Sequence, residues 1–312
     1  MMKNAKGFSA RGLLPQNRPF RVLFGIVKVI LLAFIVILVI QDCALFHPSH
    51  DPGSLAFLTA RPEFEVVEFT ANDRAYHGVL RRRPARNALW EAYGEASPLI
   101  LFFYGNAQNA AGAMRSFESF RIWPHFLDFH CLIVDYTGYG PGRRGRPSAR
   151  NIYADALAAF DFARKLPGIS QIIVIGYSLG TAPAVYLAAR RQVDGLVLLA
   201  PFANVYDLFN NVLPIFHGPL RLLVRHKFYS DRYAEAVTIP TLLIASRDDE
   251  IVPFASAERL NARFGGETSF VILSGVRHVR HNEILFHPAA LESVRAYLSE
   301  ITAMIAATTA AE

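Results

Sequence analysis

The chain has 312 residues, 52% of them hydrophobic, enough for one large apolar core and an appendage. Its two cysteines, Cys43 and Cys131, lie in unrelated contexts, so no disulfide framework is implied. The formal charge of +6 owes much to the N-terminal tail, and no helical pattern interleaves basic with aromatic residues, so nucleic acid is not an expected partner.

Residues 22–40 are apolar apart from Gly25 and Lys28. At about 1.5 Å per residue this run reaches across the roughly 30 Å hydrocarbon core of a bilayer. Lys28 is close enough to one end to snorkel to the headgroups. Lys3, Lys6, Arg11, Arg18 and Arg21 precede the run with no acidic residue among them, a bias that predicts a cytoplasmic N-terminus and an extracytoplasmic remainder. The competing reading is a signal peptide, cleaved to leave a secreted protein. It requires a shorter apolar region and a small-x-small site, and Ile40-Gln41-Asp42-Cys43-Ala44 offers none. The expected organisation is a basic cytoplasmic tail (1–21), a single-pass transmembrane anchor (22–41), a linker (42–63) and one globular domain (64–305). Two basic clusters, one at residues 81–83 and one of Arg143, Arg144 and Arg146, read as solvated faces or as contacts to anionic headgroups.

Beyond the linker, residues 64–70 and 76–82 alternate about Asn72-Asp73 and read as a β-hairpin, followed by a polar loop over 83–95. From Leu99 onward apolar strands (99–104, 131–136, 172–175, 196–199, 241–245, 270–273) alternate with helical patterns (110–120, 151–166, 181–190, 255–264, 288–303). Apolar strands separated by helices predict an α/β fold with a mostly parallel sheet covered on both faces. The alternation breaks at 205–227, an apolar, helix-like stretch, so a small helical lid is expected over about 202–232. Phe202, Phe209, Leu213, Phe216 and Leu223 are its candidate pocket-lining residues, with ordinary helix packing as the alternative.

Between the strand at 172–175 and the helix at 181–190 lies Gly176-Tyr177-Ser178-Leu179-Gly180. A serine on a sharp strand-to-helix turn between two glycines is the nucleophile elbow of a serine hydrolase; the alternative is a Gly-bounded turn whose serine caps the helix. A serine hydroxyl becomes a useful nucleophile only when an imidazole takes its proton and a carboxylate orients that imidazole. In this architecture the acid and then the histidine follow the serine, each just past a later strand. Asp248-Asp249-Glu250 follows the strand at 241–245, and a loop holding His278 and His281 follows the strand at 270–273. Reading His278, His281 and His287 as a zinc site is disfavoured because no carboxylate–histidine arrangement typical of catalytic zinc accompanies them.

With these residues in place the chain resembles the α/β-hydrolases, within the group of membrane-anchored serine hydrolases related to serine aminopeptidases and acyl-protein thioesterases. The matching residues are Tyr104-Gly105-Asn106-Ala107, Asp135-Tyr136-Thr137-Gly138-Tyr139-Gly140, Gly176 to Gly180, Asp249-Glu250-Ile251-Val252-Pro253 and His281-Asn282-Glu283. The resemblance implies Asp249 rather than Asp248 or Glu250 as the acid, and His281 rather than His278 as the base. It also implies an oxyanion-hole N–H from Asn106, beside the one that the residue after the nucleophile, Leu179, supplies. Tyr104 stands where the group has a histidine, and Asp135 and Tyr139 are expected to shape the wall below the site. The expected function is a membrane-anchored serine hydrolase acting on an ester or thioester of a small-molecule or acylated substrate through an acyl-enzyme, with no cofactor or metal. The alternatives are a peptidase of short peptides and a non-catalytic hydrolase-like domain that binds a lipid or a protein.

Overall fold

The structure, a computed structural model, describes residues 18–83, 97–126, 128–141, 145–274 and 279–311. It divides into two units, one ending at Ala44 and one running from Leu45 to Glu312. The first holds nearly all of helix α1, Arg18–Leu45, which is longer at both ends than the apolar run. Pro19 is tolerated in its first turn, where no backbone bond is lost, and the helix stops two residues before His47-Pro48, where proline disfavours helical backbone. By length and composition it is the one candidate membrane span among the described residues, and most of its described large apolar side chains from Phe20 to Ile40 are exposed.

The second unit is built on an eight-stranded sheet. In chain order the strands are β1 (Phe64–Ala71), β2 (Arg74–Arg81), β3 (Ser97–Phe103), β4 (His130–Val134), β5 (Ile169–Tyr177), β6 (Gly195–Leu199), β7 (Thr241–Ser246) and β8 (Thr268–Leu273). In space they run β1-β2-β4-β3-β5-β6-β7-β8. The hairpin expected about Asn72-Asp73 is β1–β2, both turn residues left-handed, and β2 pairs antiparallel with β4. From β4 to β8 every pairing is parallel. All residues of β3, β6 and β7 are buried, as a central strand covered on both faces requires. The covering helices include α3 (Ala110–Ser119), α4 (Ala149–Ala163), α5 (Thr181–Ala188) and the long C-terminal helix Pro288–Ala311.

Two stretches differ from expectation. Residues 42–63, read as a linker, contain the end of α1 and a short helix, α2 (Gly53–Thr59), whose Leu58 is buried. The helix-like stretch over 205–227 is helical in pieces: Val205–Val212 is an α-helix and a 3-10 turn covers Gly218–Leu223, with a further short helix at Ser230–Ala234. Pro214 and Pro219 account for the interruption, since each disfavours helical backbone before it and removes a donor. The loop expected over 83–95, the Arg143–Arg144 pair and His278 lie almost wholly outside the described residues.

The connection from β5 into α5 is the tightest place in the fold. A Cβ on Gly176 would lie 2.6 Å from the Gly180 carbonyl oxygen, and one on Gly180 would land on the Phe103 carbonyl at the end of β3. Both glycines are therefore steric requirements for bringing the serine turn against β3. Gly180→Ala should destabilise the protein by roughly 3 kcal/mol, lowering the melting temperature by about 6–12 °C; an unchanged melting curve would contradict the packing described.

Candidate active site

Strand β5 carries the chain through Tyr177 and delivers Ser178 in the left-handed region, φ 52°. For a non-glycine residue that conformation costs of order 1–3 kcal/mol and persists only where neighbours over-determine it. The 3-10 turn Ser178–Gly180 leads directly into α5, and Thr181 Oγ1 donates to the Ser178 carbonyl at 2.7 Å, closing the turn. The side chain of Ser178 thereby projects from the C-terminal end of the sheet, where the loops after β7 and β8 converge.

The loop after β7 supplies Asp249. Its Oδ1 accepts the N–H groups of Ile251 and Val252 at 2.9 and 2.8 Å, which leaves Oδ2 free to face His281 Nδ1 at 2.7 Å. The loop after β8 supplies His281, whose Nε2 lies 2.7 Å from Ser178 Oγ. A carboxylate only accepts, so Nδ1 carries the imidazole proton, Nε2 accepts, and the Ser178 hydroxyl donates. All three side chains are buried or nearly so. The chosen acid and base thus converge on the chosen serine, while Asp248 uses its backbone N–H to reach Ser246 Oγ at 3.1 Å.

Residues assigned no positioning role from sequence hold the histidine. Glu250 Oε2 accepts the His281 N–H at 3.1 Å, and Tyr177 donates its hydroxyl to the His281 carbonyl at 3.1 Å while its ring stacks 5.6 Å from the imidazole. Glu283 turns back to accept the Arg280 N–H at 3.0 Å, fixing the 3-10 turn His281–Phe286 that starts at the base. Tyr177 and Glu250 sit inside the recognised motifs as their variable positions, and that placement is the signal available for them.

The loop after β3 lies against the elbow, a Cβ on Gly105 being 3.4 Å from Ser178 Cβ. Among the described residues, no turn or loop backbone bond uses the N–H of Asn106 or of Leu179. Backbone N–H groups left unpaired beside a nucleophilic serine are the kind of donor an oxyanion hole uses. Tyr104 supports this loop in its own way. Its hydroxyl donates to Asp135 Oδ1 at 3.3 Å and accepts the Tyr136 N–H at 3.1 Å, and Tyr136 returns a hydroxyl bond to the Tyr104 carbonyl at 2.8 Å. Tyr139 donates to Asn106 Oδ1 at 3.0 Å. Asp135 and Tyr139 therefore form a supporting wall, as expected. Of the five residues read as pocket lining, Phe202 and Phe216 are buried and Phe202 packs edge-on against Phe228, whereas Leu213 is 50% exposed.

The strand order, the strained serine turn and the two loops that meet it define an α/β hydrolase. A family model described as the alpha/beta hydrolase fold matches residues 98–225. An uncharacterised protein of Mycobacterium tuberculosis is 34% identical over 209 residues, 66% of this chain and 72% of that protein. The lysophosphatidylserine lipase ABHD12 of Danio rerio is 26% identical over 236 residues, 68% of this chain and 61% of that protein. Among solved structures, a 2,6-dihydroxy-pseudo-oxynicotine hydrolase aligns with a TM-score of 0.62 over 80% of this chain and 71% of its own, at 16% identity. The chain belongs to the α/β-hydrolase family and is a hydrolytic enzyme.

Asp135 gives the wall a pH signature. Burial pushes its carboxyl up to about 6, against the opposing pull of the Ala110 N–H and the Tyr104 hydroxyl. The folded carboxyl titrates near 6 and the unfolded one near its ordinary 3.8, so the folded state carries a penalty above pH 6 that protonation relieves. As pH falls from 7 towards 4, wild type should gain up to about 3 kcal/mol relative to Asp135→Asn. Melting temperatures of both proteins at pH 7.5 and pH 5 check this, and a pH-independent gap would contradict it.

Proposed function

We propose that the protein is a membrane-tethered serine hydrolase that cleaves a carboxylic ester or thioester through an acyl-enzyme. The observation that carries this reading is the unbroken hydrogen-bonded chain from Ser178 Oγ through His281 to Asp249, both links 2.7 Å. Ser178 Oγ attacks the acyl carbonyl while His281 Nε2 takes its proton. Asp249 keeps the imidazole in the tautomer that can accept that proton and stabilises the imidazolium that results. The N–H groups of Asn106 and Leu179 donate to the developing oxyanion. Collapse of the tetrahedral intermediate breaks the bond to the leaving group, which departs with the proton from His281. Water then repeats the sequence on the acyl-Ser178 ester, with His281 again base and then acid, releasing the carboxylic acid.

A lipid-borne acyl ester is the substrate class we favour. The zebrafish relative is named a lysophosphatidylserine lipase, and the segment proposed as the lid carries exposed Val212, Leu213, Leu220 and Leu222. Tethering supports the same choice, since an enzyme held at a bilayer meets its substrate in two dimensions. Helix α1 has the length and composition to provide the tether, and the basic residues before it favour a cytoplasmic N-terminus with the enzymatic domain on the opposite side.

In the full-length protein, a fluorophosphonate should label Ser178 covalently, and Ser178→Ala and His281→Ala should each lower turnover of a short p-nitrophenyl ester by about 10⁴-fold or more, because the members act as a unit. Asp249→Asn should also be severe but leave more residual rate. A folded wild type that resists labelling would overturn the reading. For topology, protease added to sealed right-side-out membrane vesicles should digest the domain from Leu45 onward; complete protection would reverse the orientation.

A further inference from the structure

The last residue of helix α1 and the six that follow it, residues 45–51, run across the oxyanion loop rather than away from it. Asn106 is their anchor point. Its Oδ1 accepts the His47 N–H at 2.9 Å, the Ala107 N–H at 3.0 Å and the Tyr139 hydroxyl at 3.0 Å. Its Nδ2 donates to the Leu45 carbonyl at 2.9 Å and to His47 Nδ1 at 2.9 Å. Two main-chain N–H groups face one amide atom, so that atom is the oxygen and the amide has one orientation only. Every hydrogen-bonding position of the side chain is then used, and three of its partners belong to the strap.

Further along, the strap closes on two neighbouring segments. The Ser49 carbonyl accepts the Gly140 N–H at 3.0 Å, His50 Nδ1 donates to the Gly140 carbonyl at 2.9 Å, and the Asp51 carbonyl accepts Asn109 Nδ2 at 3.2 Å. Phe46 is buried and meets His226 edge-on at 4.8 Å, which keeps the strap from lifting. The loop that it holds contains Ala107 at φ 61°, a left-handed conformation that an alanine keeps only when its surroundings impose it. The N–H of Asn106 precedes that residue directly, so its direction depends on the side chain that the strap grips.

We propose that residues 45–51 are a positioning strap for the oxyanion hole, acting through the Asn106 amide to aim the Asn106 N–H at the site where charge develops. The inference rests on the serine-hydrolase reading above and adds to it a contribution from residues that touch no substrate. Asn106, His47 and Tyr139 are the positioning side chains. An oxyanion donor stabilises the transition state more than the bound ester, so loosening it lowers kcat and leaves KM nearly unchanged.

The test uses the full-length protein in detergent, with active sites titrated by a fluorophosphonate and kcat and KM for p-nitrophenyl butyrate expressed per titrated site. His47→Ala and Tyr139→Phe should each lower kcat by about 3- to 10-fold, the worth of one net hydrogen bond, with KM within about twofold. His47→Asn, whose amide oxygen can stand where Nδ1 stood, should restore kcat to within about twofold of wild type. Asn106→Ala should lower kcat by more than about tenfold. His47 is exposed, so its variants keep the test decisive even if Asn106→Ala does not fold. Variants that lose titratable sites but keep wild-type kcat per site would assign the strap a purely structural part and overturn the proposal. So would variants with unchanged kcat on a labelled, active wild type. A wild type that neither labels nor turns over would instead bring down the hydrolase reading, and the strap proposal with it.

Discussion

The backbone of Ser178 is the constraint on which the rest of this structure depends. Its left-handed conformation is unfavourable in isolation and is imposed by β5 on one side and α5 on the other, with Gly176 and Gly180 leaving the space that a Cβ at either position would fill. The parallel sheet is what makes that imposition affordable. Strands β3, β6 and β7 are buried throughout, and a core of that extent tolerates a local cost of a few kcal/mol. Because the strands run parallel, their C-terminal ends share one edge, and the loops after β3, β7 and β8 reach the serine from three directions.

Around that point the structure spends its polar groups on orientation. Asp249 faces His281 with one oxygen because two N–H groups occupy the other, and Glu250 and Tyr177 hold the histidine by its backbone. The same pattern recurs on the oxyanion side. Tyr104, Tyr136 and Asp135 tie β3 to β4 through hydroxyl bonds, and Tyr139 reaches Asn106. Tyr104 supports the loop by bridging to the residues that directly follow β4. Burial holds the Tyr104 hydroxyl well above the ordinary tyrosine range, so it remains a donor to Asp135.

What was legible in the sequence follows from the range of the interactions. The elbow, the acid and the base each sit within a few residues of the strand that positions them, so Ser178, Asp249 and His281 could be picked from local pattern and resemblance. The hairpin strands were legible by their alternation and the central strands by their apolar runs, although β5 extends into the elbow as far as Tyr177. The strap was not, because its bonds join residues 45–51 to Asn106 and Gly140, from 59 positions (His47 to Asn106) to 91 positions (Ser49 to Gly140) away, and no periodicity marks such a contact. The segment over 205–227 was legible as helical but not in its breaks: Pro214 and Pro219 divide it into short pieces, and Phe202 is fully buried.

The central claim is that turnover passes through an ester on Ser178. Rapid acid quench of the full-length protein during hydrolysis of a p-nitrophenyl ester, followed by peptide mass spectrometry, addresses it directly. The account predicts the acyl mass on the peptide containing Ser178 and on no other. Turnover with no acylated peptide, or with the acyl group on a different residue, would contradict it.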